Sequence, residues 1–173
     1  MDKNLMSTLR GAHSLKTAIL LILVLLAPLY FTLSQYTVFS IRNHDTGKII
    51  YQKALRISDV FRLHYIHSVT NQPVDEYFYV KNHHTLGMKE MHYDSFGANL
   101  PVGPEKLRNE TTHFSKEEDY YKVTYENREF ELVPLRVGQV VANHTLIFSD
   151  QHRMPFLDIA PGGAYVEFYV SPF

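Results

Sequence analysis

Two hydrophobic patterns share this chain and change over near residue 36. From Thr17 to Ile41 no side chain is charged, and Ala18 to Leu33 is apolar almost throughout. A helix needs about 20 mostly apolar residues to cross a ~30 Å hydrocarbon core, so the run over 17–36 predicts a transmembrane anchor. Beyond it, residues alternate in character over short windows rich in Tyr, Phe, Val and Ile, which is the period of strands. Tyr36 to Arg42 and Lys48 to Leu55 predict a hairpin around Asn43-His44-Asp45-Thr46-Gly47. Phe61 to Val69 and Val74 to Lys81 predict a second, turning at Thr70-Asn71-Gln72-Pro73, and Thr85 to Tyr93 predicts a further strand. Gly97, Pro101, Gly103 and Pro104 break Asp94 to Pro104 into a loop.

Glu105 to Asp119 is polar, and reads as a solvated excursion or as one short helix capped by Ser115 ahead of Glu117 and Glu118. Tyr120 to Glu126, Glu129 to Leu135, Thr145 to Phe148 and Ala164 to Val170 complete roughly eight or nine short strands. The expected fold is mainly β, an antiparallel β-sandwich or barrel-like domain preceded by one N-terminal transmembrane helix.

Charge orients that layout. Lys3, Arg10 and Lys16 precede the apolar run while only Arg42 and Lys48 follow closely, so residues 1–16 are expected in the cytoplasm and 37–173 outside it. A cleaved signal peptide processed after Ser34 is the rival reading, but the length of the run and the bulky Leu29, Tyr30 and Phe31 favour an uncleaved segment. With no cysteine in the chain, thiol lipidation, disulfides and thiolate metal sites are excluded. Seventeen Lys and Arg stand against 18 Asp and Glu, with both signs scattered, so no footprint for nucleic acid exists.

Two stretches depart from this background. Tyr65-Ile66-His67-Ser68-Val69 runs into Pro73-Val74-Asp75-Glu76-Tyr77-Phe78, and Ser95-Phe96-Gly97-Ala98-Asn99-Leu100-Pro101 follows Tyr93-Asp94. Their sequence and spacing resemble the signature blocks of DUF1850, a family of small bacterial proteins of uncharacterised function, in which a Y-x-H-S-V block leads to a Glu-bearing strand and then to an S-F-G-A-G-L-P loop. Here Asn99 replaces the family's second glycine and Thr70-Asn71-Gln72 replaces a more usual charged turn. The resemblance implies an association with TRAP transporters of the TAXI type, through contact with their membrane subunits or their solute-binding protein.

The same blocks hold the candidate chemistry. A turn at Thr70 to Pro73 pairs Val69 with Val74 and sets His67 opposite Glu76, with Met91 or His92 brought beside Glu76 by the next strand. That pair is either a ligand- or proton-binding site or a cross-strand hydrogen bond that pins the hairpin. A hydrolase reading of His67, Ser68, Glu76 and Ser95 fails on placement, because neighbouring strand residues face opposite ways and Ser95 lies in no nucleophile elbow. Ser95 is expected to satisfy backbone groups of the Phe96-Gly97-Ala98 turn, with Phe96 and Leu100 plugging the core. His64, His67, His83, His84 and His92 have no spacing for a closed metal site.

His67, Ser68, Glu76, Ser95, Phe96, Gly97, Ala98, Leu100 and Pro101 are therefore the candidate functional or structural residues, with no catalytic group, metal or cofactor assigned. The expected role is that of a membrane-anchored, non-enzymatic extracytoplasmic accessory of a solute importer. The alternative is a free-standing ligand- or metal-binding domain, for which a pocket lined by His67, Glu76 and the Ser95 to Pro101 loop would speak.

Overall fold

The computed structural model describes residues 20–28, 30–107, 109–139 and 141–173. The chain parts after Gln35 into two units, Met1–Gln35 and Tyr36–Phe173. In the first, residues 20–28 and 30–33 are helical and their large apolar side chains are exposed. The transmembrane helix expected over 17–36 is not found: among the described residues no helix is long and apolar enough to cross a membrane. The described helical residues end at Leu33, and the chain turns at Ser34 and Gln35 before the strands begin. Residues 17–19 and Leu29 of the expected span lie outside the described residues.

The second unit is built from strands. In chain order they are β1 (Tyr36–Asn43), β2 (Ile49–Arg56), β3 (Val60–Ile66), β4 (Pro73–Asn82), β5 (Thr85–Tyr93), β6 (Lys106–Leu107) and β7 (Glu110–Lys116). There follow β8 (Tyr121–Glu126), β9 (Glu129–Phe130), β10 (Val133–Arg136), β11 (Thr145–Ile147), β12 (Arg153–Pro155) and β13 (Tyr165–Ser171). They form a four-stranded sheet, β10-β13-β1-β2, and a nine-stranded sheet, β12-β11-β3-β4-β5-β8-β7-β6 with β9 also on β5. Every pairing among them is antiparallel. The mainly β, antiparallel expectation holds, as two sheets and without a closed barrel.

The first hairpin forms where the alternation predicts it, with Gly47 at φ +68 in its turn. The polar stretch Glu105 to Asp119 does not. Instead of an excursion or a helix it supplies β6 and β7, because Thr112 and Phe114 turn inward while the residues between them meet solvent. Ser115 caps no helix; its hydroxyl donates to Glu117 at 2.9 Å. The expected strand over 129–135 is divided, β9 joining the large sheet and β10 the small one.

Phenylalanines join the sheets. Phe39 of β1 meets Phe61 of β3 edge-on at 5.2 Å and Phe148 at 5.6 Å, while Phe168 of β13 stands edge-on to Phe78 of β4 at 5.6 Å. All five rings are almost wholly buried. Such edge-to-face contacts add to the burial of large apolar area, so this seam carries much of the fold's stability. Phe39→Ala, which removes the ring shared by three partners, is expected to cost about 3–5 kcal/mol in denaturant unfolding at unchanged m-value.

Candidate functional site

The β3–β4 hairpin decides where the first motif points. Its register differs from the expected one: Tyr65 pairs with Val74, Leu63 with Glu76 and His64 with Asp75. The closing pair is His67 with Gln72, whose carbonyl accepts the His67 amide at 2.8 Å, and not Val69 with Val74. The turn therefore spans Ser68 to Asn71. Asn71 takes the left-handed conformation at φ +55, which an Asn tolerates, and Pro73 opens β4 at a position where its missing N–H costs little. His67 is thus not opposite Glu76. The slip of four residues is even, so each side chain keeps its face.

His67 instead reaches across to the second motif. Its Nε2 donates to the Ala98 carbonyl at 3.0 Å, and Nδ1 accepts from the Thr70 and Val69 amides at 3.3 and 3.4 Å. Gly97 packs against the ring so closely that a Cβ there would stand 2.8 Å from His67 Cε1 and 3.1 Å from Thr70 Cγ2. This is a local reason for glycine in the S-F-G-A stretch: it lets a backbone approach an imidazole. Asn99, in the second glycine position, adopts φ +66, so the left-handed turn survives the replacement.

From this clasp the Asp94 to Glu105 segment crosses the inner side of the large sheet. Phe96 packs tilted against Tyr121 at 4.3 Å and stacks on Phe114 at 6.2 Å, the Tyr93 hydroxyl donates to the Pro101 carbonyl, and Leu100 is buried. Glu105 and Thr112 exchange backbone and hydroxyl hydrogen bonds at the far end. The expected plugging role falls to Leu100; Phe96 packs on one side but remains 47% exposed. Ser68 is exposed, and neither it nor Ser95 makes a side-chain hydrogen bond among the described residues, so the expected Ser95 bond to its turn is not formed.

Glu76 lies elsewhere, facing inward between Leu63 of β3 and Met91 of β5. Met91 takes the place beside it that had been open to Met91 or His92. The partner of Glu76 is Tyr65, whose hydroxyl donates to Oε1 at 3.1 Å. Solvent reaches Glu76 only in part, and burial pushes its carboxyl up to about 7 against the opposing pull of the Tyr65 hydrogen bond and the Arg128 charge. Tyr65 itself is raised, first by burial and then by the Glu76 carboxylate. Tyr125, also raised by burial, to about 12, turns its hydroxyl toward Met91 Sδ at 4.0 Å. Arg128 lies over the Tyr125 ring at 4.6 Å and pairs with Glu110 at 3.1 Å, while its buried Nε has no hydrogen-bond partner among the described residues. The partner of Glu76 is therefore Tyr65 and not the expected His67; Tyr65 and Glu76 share parity on facing strands, which is the signal in the sequence.

The remaining histidines are dispersed. On the outer face His64 Nδ1 bonds Asp75 at 2.8 Å, and His92 sits between Tyr77 and Tyr120 at 4.8 and 4.7 Å with Glu90 alongside. Among the described residues no three His, Asp or Glu side chains are grouped to hold a metal ion. A cleft of about 220 Å³ opens at the other end of β3, bordered by Val60, Arg62, Tyr77 and Gln151; Tyr77 comes from the first motif block, and the second block takes no part in it.

The matched region fits this geometry, since the model of a domain of unknown function, DUF1850, covers residues 61–154, more than half of the chain. The chain belongs to the DUF1850 family. The match opens on Phe61 of β3 and closes on Met154 of β12, so it takes in the clasp, the crossing segment and the Tyr65–Glu76 pair. No curated protein and no solved structure matches the chain.

Two measurements test these contacts. Gly97→Ala and His67→Ala should each cost about 1–2 kcal/mol, and a double-mutant cycle should show the two losses far from additive, because both break one contact. His144 gives a pH signature. Buried against Tyr65 and accepting the Gly138 amide on Nδ1 at 3.1 Å, it is held neutral, its pKa lowered to about 4 by burial. Its folded value lies below its unfolded one, so its contribution is present above about pH 6.5 and is lost as pH falls toward about 4. Thermal melts across that window should flatten in His144→Asn, which keeps the acceptor and cannot charge.

Proposed function

We propose that the protein is a non-enzymatic, extracytoplasmic accessory of a TAXI-type TRAP solute importer, held at the membrane by its N-terminal apolar segment and docking through the rim where the two family motifs meet. The observation that carries the reading is that rim. Residues 67–72 and 95–104 contain no Asp, Glu, Lys or Arg, and they expose Val69 by 71%, Phe96 by 47% and Val102 by 70%. Exposed apolar groups on an uncharged, hydrogen-bonded frame suit a protein contact. The apolar exposure of the helical residues 20–26 supports burial of that segment in lipid.

Both ring nitrogens of His67 are taken by backbone groups, which leaves neither for general base chemistry and supports a non-enzymatic role. Position within the domain favours one partner. Tyr36 pairs with Arg56, whose carbonyl accepts the Asp59 amide just before β3, whereas the clasp stands at the far end of β3, about 20 Å along the strand. A rim remote from the point where the chain enters the domain suits the solute-binding protein better than the membrane subunits. The competing ligand-binding reading asked for a pocket shared by His67 and Glu76, and these residues serve separate contacts.

The test is cross-linked affinity purification of the tagged full chain from its native membrane, against an anchor-only control. Transporter components should co-purify in stoichiometric amounts and be lost from a Val69→Asp, Phe96→Asp variant whose thermal melt is unchanged. Recovery of the wild-type chain alone would refute the accessory role.

A further inference from the structure

We propose that Glu76 and Tyr65 form a proton-responsive latch beneath the motif clasp, closed when the Glu76 carboxyl is neutral and loosened when it ionises. The inference is independent of the partner's identity. Its basis is the company Glu76 keeps. On β4 the inward positions run Val74, Glu76, Phe78, so an ionisable carboxyl occupies the middle of an apolar row, opposite Leu63 and Met91. It makes no ion pair among the described residues; its hydrogen bond comes from the neutral Tyr65 hydroxyl.

The ionisable groups around it are few. From β3 comes Tyr65, with His144 packed on its ring; from β5, Tyr93; from β8, Tyr125; and from the turn after β8, Arg128, which is already paired to Glu110 of β7. Arg128 pulls on the carboxylate only from a distance and is ion-paired to Glu110 instead, so an ionised carboxyl in that place is costly. Opening the hairpin end to water removes the cost. Tyr65 lies near the end of β3 and the closing residue His67 just beyond it, two residues on, so movement that hydrates Glu76 acts directly on the His67–Gly97 contact.

The direction follows from linkage. In the closed domain the Glu76 carboxyl holds its proton up to about pH 7, whereas exposed to water it loses it near the ordinary 4.5. Closure is therefore most favoured below about pH 4.5, weakens as pH rises, and levels off once pH passes about 7.

Amide hydrogen exchange on the full chain in detergent reads this out at Asn71, bonded to the His67 carbonyl, and at Leu100, bonded to the Gly97 carbonyl. After correction for intrinsic exchange, protection should fall about tenfold per pH unit between about pH 5 and 7 and then level. Glu76→Gln should abolish the dependence. Tyr65→Phe removes a donor that favours the ionised form, so its plateau should begin at a higher pH, a displacement that simple loss of packing does not produce. If Glu76→Gln fails to fold, the carbon-13 carboxyl shift of Glu76 in the wild type and the Tyr65→Phe profile still decide. A Glu76 titration near 4.5, or a wild-type profile retained in Glu76→Gln, overturns the proposal.

Discussion

A sheet of nine strands has more inner face than a sheet of four can cover, and the second unit is organised around that mismatch. Where the sheets overlap, Phe39 and Phe168 interleave with Phe61, Phe78 and Phe148 in a buried seam. Beyond the overlap the inner side of β8 and β7 would stand open, with Val123, Tyr125 and Thr112 exposed to water. The Asp94 to Glu105 segment crosses there instead, burying Leu100 and laying Phe96 on Tyr121. The second family motif is thus a structural cover first. The His67 clasp ties that cover to the hairpin, which is why imidazole and glycine occur at the two contact points.

Glu76 belongs to the transition between the two covers. Phe78 on one side of it lies under Phe168, and Val74 on the other pairs with Tyr93, whose hydroxyl reaches the crossing segment. At such a junction packing is shared between a sheet and a strap, and solvent retains partial access. A fully apolar residue would fill the position without any dependence on pH. A carboxyl there exchanges stability for a response, and its hydrogen bond from Tyr65 lowers the cost of the ionised form without cancelling it.

Sequence pattern was most legible where alternation and turn chemistry agreed. β1, β2 and β5 follow their expected bounds because Asn43 to Gly47 and the loop after Tyr93 punctuate them strongly. β6 and β7 escaped notice because their inward positions include Thr112, a polar residue satisfied by Glu105, so the stretch reads as solvated. β12 is three residues long and ends in proline, too short to show a period. Both motif blocks were visible, yet their contact was not, since nothing local states that His67 will find Ala98 thirty-one residues later.

The register of the hairpin shows how little separates a right pattern from a right partner. Both possible turns contain four residues and both preserve the buried face, so hydrophobic alternation cannot choose between them. The choice rests on backbone conformation: Asn71 accepts φ +55 while Pro73, with its fixed φ, opens a strand more readily than it closes a turn. With the turn moved two residues toward the N-terminus, Tyr65 inherits the carboxylate and His67 is released to the second motif. One left-handed asparagine therefore separates the proton-bearing pair from the clasp and gives each block its own task.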